Sequence, residues 1–333
     1  MRKACHFEQL PQSTVRCRLC PHHCVLTDQK RGICLTRQNL GGTLYSLNYN
    51  RPVAEAIDPI EKKPLYHFHP GSFIYSTGPN GCTFKCSFCQ NADISQKILS
   101  VPEVTTDELL ESVVRSGTIG VAYTYSEPYI WFETIMDLAP RVRDAGLVNI
   151  MVTNGFFEPS PLAELVDWID GMNIDIKSMR PEFYRKLCKA QLEPVLRSCE
   201  AVKKRCHLEI TNLIIPGEND SDDDFRLLAE FIAGNLGADT PLHLSRYFPR
   251  YHLNTPSTSP ATLMRAYEIT REKLQHVYVG NIRLTGISND TLCISCGATL
   301  VSRSEARTEI LSDRTAHGKI VCHQCTALSG ILI

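Results

Sequence analysis

The chain has 333 residues, of which 43% are hydrophobic and 21% are charged, and its formal net charge is −1. These values are typical of a globular protein with a sizeable core, arranged as one large domain with appendages or as two ordinary domains. A charge this close to zero offers no overall attraction to nucleic acid or to an anionic membrane. No apolar run reaches the length of a membrane span, and residues 1–6 lack the apolar centre of a signal peptide. We therefore predict a cytoplasmic protein that binds neither nucleic acid nor membrane.

A first group of cysteines lies in residues 1–70, which we predict to be an N-terminal metal-binding segment and connector. Cys17 and Cys20 form a C-x2-C hook, and Cys24 and Cys34 could complete a four-thiolate site. Fifteen cysteines in a reducing compartment are more typical of metal binding than of disulfides. We predict structural zinc here; a second iron–sulfur cluster and unliganded thiols are the alternatives. Residues 43–49 alternate like a strand, and the charged connector 58–68 has the composition of a solvated loop.

Strand and helix patterns then alternate from residue 73 to residue 279. The predicted strands are 73–76, 118–125, 148–153, 173–176, 207–215, 242–247 and 277–279. The predicted helices are 106–115, 129–145, 161–168, 182–188, 193–204, 222–236 and 261–274. Such alternation indicates βα units and a parallel sheet. About six units predict an α/β fold with a partial (βα)6 TIM-type barrel over residues 71–285, whose chemistry lies at the C-terminal strand ends.

The last segment, residues 286–333, carries a second group of four cysteines. Cys293 with Cys296 and Cys322 with Cys325 form two C-x2-C hooks, which strongly indicate a zinc-ribbon or rubredoxin-like site. A segment this short buries too little core to be stable alone, so a metal would stabilise it. Both zinc and iron accept tetrahedral sulfur, so the sequence leaves the choice of metal open.

The central group has only three cysteines, Cys82, Cys86 and Cys89, in the loop after the first predicted barrel strand. The spacing C-x3-C-x2-C can place three thiolates on a [4Fe–4S] cluster and leave the fourth iron without a protein ligand. An open metal position is typical of catalytic sites, whereas closed sites are mostly structural. A zinc site completed by a distant residue, or three unconnected buried thiols, are the ordinary alternatives.

Polar side chains stand at the ends of several predicted barrel strands. Alternation points Asn173, Asp175 and Lys177 to one face of their strand. Three polar groups would be costly in a dry core, so we predict a ligand cavity rather than a buried structural ion pair. At the other strand ends, the ordinary alternatives to a ligand contact are a helix cap, an Asn-Gly turn and a hydrogen-bonded core histidine. The further candidate contacts are Tyr125, Ser126, Glu127, Asn154, Thr211 and His243.

The cysteine loop resembles the signature of the radical S-adenosylmethionine (SAM) superfamily, C-x3-C-x-aromatic-C, with Phe88 as the aromatic residue. Residues 81–95 also look like the activases of glycyl-radical enzymes such as pyruvate formate-lyase. The segments 58–68, 123–128, 152–155, 214–217 and 277–281 together resemble the AmmeMemoRadiSam system radical SAM enzymes. This resemblance spans nearly the whole chain, and it argues against a plain solvated loop at residues 58–68.

The resemblance implies roles for individual residues. Cys82, Cys86 and Cys89 would hold the cluster, and the amino and carboxylate groups of SAM would chelate the fourth iron. Asp175 and Lys177 match an Asp-x-Lys motif that contacts the ribose and the carboxylate. Phe88 would pack near the adenine, and Asn154 stands near a position that contacts the amino group. Residues 125–127 stand where the superfamily has Gly-Gly-Glu, but the two glycines are absent here.

The function implied is that of a radical SAM enzyme. One electron, from a donor such as ferredoxin or flavodoxin, would enter the cluster and cleave SAM to a 5′-deoxyadenosyl radical. That radical would abstract hydrogen from a small-molecule or protein substrate. The alternatives are an activase that makes a glycyl radical on a partner protein, and a non-catalytic iron–sulfur electron carrier or scaffold. An electron carrier needs no polar cavity, so the face of Asn173, Asp175 and Lys177 argues against it.

Overall fold

The computed structural model describes residues 1–304, 307–316 and 318–333. Strands and helices are numbered in chain order. The strands are β1 Arg2–Lys3, β2 Phe7–Leu10, β3 Thr14–Cys17, β4 Val25–Leu26, β5 Arg37–Leu40, β6 Thr43–Ser46, β7 Pro52–Pro59, β8 Phe73–Pro79, β9 Gly120–Tyr123, β10 Val148–Thr153, β11 Gly171–Asp175, β12 His207–Ile214, β13 Leu242–Arg246, β14 Val277–Gly280, β15 Thr291–Leu292, β16 Thr299–Arg303, β17 Thr308–Ile310, β18 Asp313–Arg314, β19 Lys319–Val321 and β20 Leu328–Leu332.

The helices connect the central strands. The α-helices are α1 Ala92–Ser95, α2 Thr106–Arg115, α3 Phe132–Asp144, α4 Pro159–Leu165, α5 Pro181–Phe183, α6 Glu193–Lys203, α7 Asp222–Phe231 and α8 Pro260–Arg271. Short 3-10 turns cover Ile60–Lys62, Pro128–Trp131 and Val166–Trp168, and π-helical turns cover Tyr184–Cys188 and Ile232–Leu236. No helix of the described residues is both long and apolar enough to cross a membrane.

One large sheet organises the molecule. It contains β7 to β14 in sequential order; β8 to β14 run parallel and β7 pairs antiparallel with β8. Parallel neighbours need crossover connections, and α2 to α8 lie within them. The two end strands, β7 and β14, do not pair with each other within the described residues, so the barrel is open. The predicted α/β partial barrel is confirmed: its seven parallel strands correspond to the seven predicted strands, and six crossover connections join them.

Local sequence signals explain where several elements begin and end. Thr105 and Glu108 form a reciprocal capping box at the start of α2, and Ser221 with Asp224 does the same for α7. Gly146, with a φ of 75°, follows the end of α3, where glycine is favoured. All four residues of β9 are buried, as expected for a parallel strand covered on both faces.

The connector after β7 differs from the composition-based prediction of a solvated loop. Its first residues belong to β7, and Leu65, His67 and Phe68 are buried. The carboxylate of Glu209, on β12, accepts hydrogen bonds from the backbone N–H groups of Tyr66 and His67 at 3.0 and 2.7 Å. The connector therefore packs into the barrel opening and is fixed there by a buried carboxylate.

Small antiparallel sheets flank the large sheet at both ends of the chain. The N-terminal residues form the sheets β1-β6-β5 and β2-β3-β4, and the C-terminal residues form β15-β16-β17 and β18-β19-β20. The C-terminal sheets dock on the connector, since Arg303 donates to the carbonyl of Tyr66 at 2.6 Å and Leu332 N donates to His67 O at 2.9 Å. The division into units at residues 70 and 285 stays a proposal.

Candidate active site

The three central cysteines lie in the loop between β8 and α1, at the C-terminal end of the first parallel strand. Gly81 precedes Cys82 with a φ of 97°, and a Cβ at this position would stand 2.4 Å from the carbonyl oxygen of Cys34. Both the backbone conformation and this close approach therefore require glycine. The loop is held against α5 and its π-helical turn, because Lys85 N donates to Cys188 O at 2.8 Å.

The surroundings of the three thiols suit an anionic metal cluster. Burial raises the pKa of Cys82, and a hydrogen bond with Cys188 together with burial raises that of Cys86. These thiols would stay protonated without a metal, which displaces the proton on binding. The ammonium groups of Lys85 and Lys177 supply positive charge beside them. In the described part of the chain, these three sulfurs do not all lie within 4.8 Å of one another. They therefore do not form the compact group that one tetrahedral ion requires.

A cavity of about 620 Å³ opens above the cysteine loop. Its volume is that of an ordinary small-molecule site. All three cysteines line it, together with eight of the residues predicted from the sequence. These are Phe88, Tyr125, Ser126, Glu127, Asn154, Asp175, Lys177 and Thr211.

Asp175 and Lys177 form an ion pair on the cavity wall. Lys177 Nζ lies 3.0 Å from Asp175 Oδ2 and 5.8 Å from the centre of the Phe88 ring. Burial alone would lower the pKa of Lys177, but Asp175 and Cys86 raise it well above its usual value. The ammonium group therefore stays charged beside the cysteine loop.

Glu127 lines the cavity and also caps the 3-10 turn before α3. Its carboxylate accepts hydrogen bonds from Tyr129 N at 3.0 Å, Thr153 Oγ1 at 2.6 Å and Asn154 N at 2.9 Å. Burial raises its pKa to about 7, while these donors act in the opposite direction. Because both oxygens already have donors, Glu127 joins β10 to the turn before α3 whether or not it also meets a ligand.

Tyr125 and Asn154 are also fixed by contacts inside the protein. Tyr125 adopts a φ of 70°, which is the left-handed conformation that glycine favours. It stands at a position where the motif it was compared with has glycine. Its hydroxyl donates to Asp58 at 3.0 Å, and Lys63 Nζ lies 2.7 Å from the same carboxylate oxygen. Asn154 Nδ2 donates to Thr83 Oγ1 at 2.9 Å and lies 3.7 Å from the sulfur of Cys82.

Sequence reasoning did not single out Asp58 and Lys63 as site residues, although both line the cavity. Burial would raise the pKa of Asp58, but the hydrogen bond and charge of Lys63 lower it to about 2. The signal available in the sequence was the resemblance of the connector to a known family. Composition alone predicts exposed charges there, and it gives no partner for them.

Two predicted residues lie away from this cavity. Asn173 is fully buried, donates to the carbonyl of Pro64 at 2.7 Å and accepts from Thr211 at 2.8 Å. His243 lies 2.6 Å from Glu209 and lines a neighbouring cavity of about 650 Å³. The predicted face of Asn173, Asp175 and Lys177 therefore reaches the cavity at its last two residues and contacts the connector at Asn173. His243, on a different strand, lines the second cavity instead.

Comparison with known proteins identifies the family. Residues 77–232 match the family model described as the Radical SAM superfamily. The chain is also 42% identical over 309 residues to the uncharacterized protein MJ0808 of Methanocaldococcus jannaschii, covering 91% of this chain and 92% of that protein. The chain belongs to the radical SAM superfamily. The resemblance seen in the cysteine loop is thereby confirmed, and a radical SAM domain implies a [4Fe–4S] cluster and SAM as its ligands.

Other similarities to radical SAM proteins are partial. The 4-hydroxyphenylacetate decarboxylase activating enzyme of Clostridium scatologenes is 28% identical over 162 residues, 46% of this chain and 51% of that protein. The structure of Streptococcus suis SuiB bound to S-adenosylmethionine superposes with a TM-score of 0.50 at 14% identity, covering 61% of this chain and 49% of SuiB. This chain thus spans about half the length of each, and the SuiB likeness shows the radical SAM fold alone.

The C-terminal cysteines of this radical SAM protein converge as predicted. The sulfurs of Cys293, Cys296, Cys322 and Cys325 all lie within 4.8 Å of one another. A hydrogen bond from the backbone of Cys325 lowers the pKa of Cys322 to about 6, so a thiolate is available at neutral pH. The arrangement fits one tetrahedral ion, either zinc or iron.

Loss of the metal predicted at these four cysteines should unfold the C-terminal sheets. We expect Cys322→Ser to lose one zinc or iron per chain and to melt at a lower temperature, because metal binding contributes directly to folding in such small modules. Ser295→Ala, an exposed change in the same loop, serves as the control and should keep both properties. Metal analysis with a thermal melt tests this; an unchanged metal content in Cys322→Ser would contradict it.

The N-terminal cysteines are arranged differently. Cys17, Cys20 and Cys34 are buried and Cys24 is partly buried. Two of them lie beside Gly32, since a Cβ at that position would lie 3.6 Å from Cys24 Sγ and 3.7 Å from Cys34 Sγ. In the described residues, however, no three of these sulfurs lie within 4.8 Å of one another. The structural zinc predicted here from the sequence, with an iron–sulfur cluster as its alternative, stays a prediction.

Proposed function

We propose that this protein binds SAM in the cavity above Cys82, Cys86 and Cys89 and uses it to abstract hydrogen from a substrate. When bound, a [4Fe–4S] cluster with one open iron would supply the electron that cleaves SAM reductively to a 5′-deoxyadenosyl radical. The observation that carries the proposal is the cavity itself. It brings the three thiols together with Asp175, Lys177 and Asn154 at the C-terminal ends of parallel strands.

Each wall residue has a definite task in this proposal. Lys177 would pair with the carboxylate of SAM, and Asp175 would hold Lys177 in place or accept from the ribose hydroxyls. Phe88 would pack on the adenine, and its side chain is buried beside Phe183. Asn154 would orient the amino group close to Cys82. Ser126, Thr211 and Tyr125 would complete the polar wall.

A small-molecule substrate is favoured by the second cavity. That cavity of about 650 Å³ shares Lys62, Ser245 and Asn281 with the first, and His243 and Tyr66 line its inner wall. A molecule bound there would lie next to the proposed SAM site. The partial likeness to an activating enzyme supports the other candidate, the generation of a glycyl radical on a partner protein.

Product analysis tests the function. Anaerobically reconstituted protein should convert SAM to 5′-deoxyadenosine and methionine when a low-potential reductant such as reduced flavodoxin or ferredoxin is added. The same mixture without reductant is the control and should leave SAM intact. If the reduced protein binds SAM but never forms 5′-deoxyadenosine, even with candidate metabolites present, the proposal is wrong and a non-catalytic role follows.

The role of Lys177 can be separated from a structural role. Lys177→Ala should weaken SAM binding by about tenfold or more, because a charge-assisted hydrogen bond contributes about 1.5–3 kcal/mol and about 1.4 kcal/mol is one decade. Isothermal titration with SAM measures this, and Lys186→Ala, an exposed lysine, is the matched control. A purely structural ion pair would instead cost about 3–5 kcal/mol of stability and leave SAM affinity unchanged.

A further inference from the structure

In the described residues, the N-terminal thiols lie near one another but do not form the compact group that a single ion requires. Each of the four thiols lies within electrostatic reach of the other three. Tetrahedral zinc with bonds of about 2.3 Å would bring the sulfurs to about 3.8 Å from one another. The C-terminal sulfurs show such distances, with pairs at 3.5 and 3.6 Å. Among the described residues, no three of the N-terminal sulfurs lie within 4.8 Å of one another. A four-iron cube is larger and holds its ligands farther apart.

A buried arginine beside these thiols points to an anionic occupant. Arg37 is 1% exposed, and its Nη2 pairs with both carboxylate oxygens of Glu133 at 2.7 and 3.0 Å. Its Nε and Nη1 atoms are buried and have no hydrogen-bond partner among the described residues. The guanidinium interacts electrostatically with Cys17 and Cys34. Unpartnered buried donors are costly, so these N–H groups are placed for acceptors such as cluster sulfurs.

The N-terminal thiols also adjoin the catalytic loop. The carbonyl of Cys34 packs against Gly81, which is bonded to Cys82. His22 Nε2 lies 2.8 Å from the carbonyl oxygen of Thr83, one residue beyond Cys82. The ammonium of Lys85 interacts with Cys34 as well as with all three central cysteines. Groups bound at the two sets of thiols would therefore be close neighbours.

We propose that Cys17, Cys20, Cys24 and Cys34 hold a second [4Fe–4S] cluster that relays electrons to the first. An electron from an external low-potential one-electron carrier would reduce this cluster from the 2+ to the 1+ state. The same electron would pass on to the cluster at Cys82, Cys86 and Cys89, and the N-terminal cluster would return to 2+. No bond or proton moves in this step. The destination of the electron rests on the proposed function, but the existence of the cluster does not.

Counting iron and sulfide tests for the second cluster. Reconstituted wild-type protein should contain about eight cluster irons and eight sulfides per chain, and the Cys82/Cys86/Cys89→Ala variant about four of each. The variant should also show a reduced-cluster electron paramagnetic resonance (EPR) signal that SAM does not change. This test alters no N-terminal residue, so it does not depend on an N-terminal variant that folds. Zinc without labile sulfide in the variant would overturn the proposal.

Kinetics test the relay. In wild-type protein mixed with reduced flavodoxin and frozen rapidly, the SAM-insensitive signal should appear before the SAM-sensitive one. Cys20→Ser should slow reduction of the SAM-sensitive cluster by at least about tenfold, while Cys206→Ser, a thiol outside the three groups, should not. Equal rates, or the reverse order of appearance, would overturn the relay. Failure of the proposed function would look different: both clusters would be reduced, yet no 5′-deoxyadenosine would form.

Discussion

Replacing Cys82, Cys86 and Cys89 together by alanine should abolish the SAM-dependent change in the EPR spectrum of the reduced protein. The three thiols line one cavity, and we propose them as the protein ligands of the cluster that SAM would bind. Without them, no open iron remains for SAM, and the expected loss is complete rather than partial. The measurement compares reduced samples with and without SAM.

The control for this triple variant removes a thiol elsewhere. Cys206→Ala lies outside the three cysteine groups and should keep the full SAM-dependent change. Circular dichroism should show that the triple variant is folded, because Phe84 and Phe88 still pack the loop into the core. A SAM-dependent change that survives in a folded triple variant would show that the cluster is bound by other residues.

The parts of the fold that sequence predicted best are those with local signals. The bounds of α2 and β10 coincide with the predicted 106–115 and 148–153, since a capping box begins α2 and a short, mostly apolar run forms β10. The predicted helices 129–145 and 222–236 extend through a 3-10 turn and a π-helical turn, respectively. Helical periodicity does not distinguish these turns from α-helix over one turn.

The parts that sequence could not predict depend on contacts between distant residues. Alternation correctly placed Asn173 on a polar interior face, but it could not show that the backbone of Pro64, 109 residues away, fills that space. The same holds for Glu209, whose four donors include Tyr66 and His67 from the connector. The sequence shows a carboxylate on a predicted buried strand, but its hydrogen-bond partners are known only from the folded structure.

The cysteine groups show both outcomes. The C-x2-C hooks that begin at Cys293 and Cys322 predicted one four-cysteine site, and the four sulfurs do converge in the structure. The prediction succeeded because the residue spacing within each hook fixes two ligands at once. For the N-terminal group, C-x2-C spacing fits both a single ion and a cluster. The proposed cluster rests on two observations that the sequence does not give: the buried, unpartnered donors of Arg37, and the lack of a compact ligand group among the described N-terminal sulfurs.

Glu209→Ala should lower the free energy of unfolding by about 3–5 kcal/mol, the usual cost of breaking a buried charged network. Glu209 is fully buried and accepts from His243 at 2.6 Å, from His207 at 2.9 Å and from two backbone N–H groups of the connector. The alanine variant would leave all four donors without this acceptor. Denaturant unfolding measures the loss, and Glu182→Ala, an exposed residue, is the control with an expected change within about 0.5 kcal/mol.

The stabilisation by Glu209 should also depend on pH in a defined direction. Burial would raise its pKa, but the hydrogen bonds and charges of His207 and His243 lower it well below its usual value. A carboxyl group whose pKa is lowered by folding stabilises the protein above its unfolded pKa of about 4.3, and this stabilisation is lost as the pH falls towards the folded pKa. The difference in unfolding free energy between wild type and Glu209→Gln should therefore shrink below about pH 4. A difference that stays constant down to pH 3 would show that the charge of Glu209 does not hold the connector in the barrel.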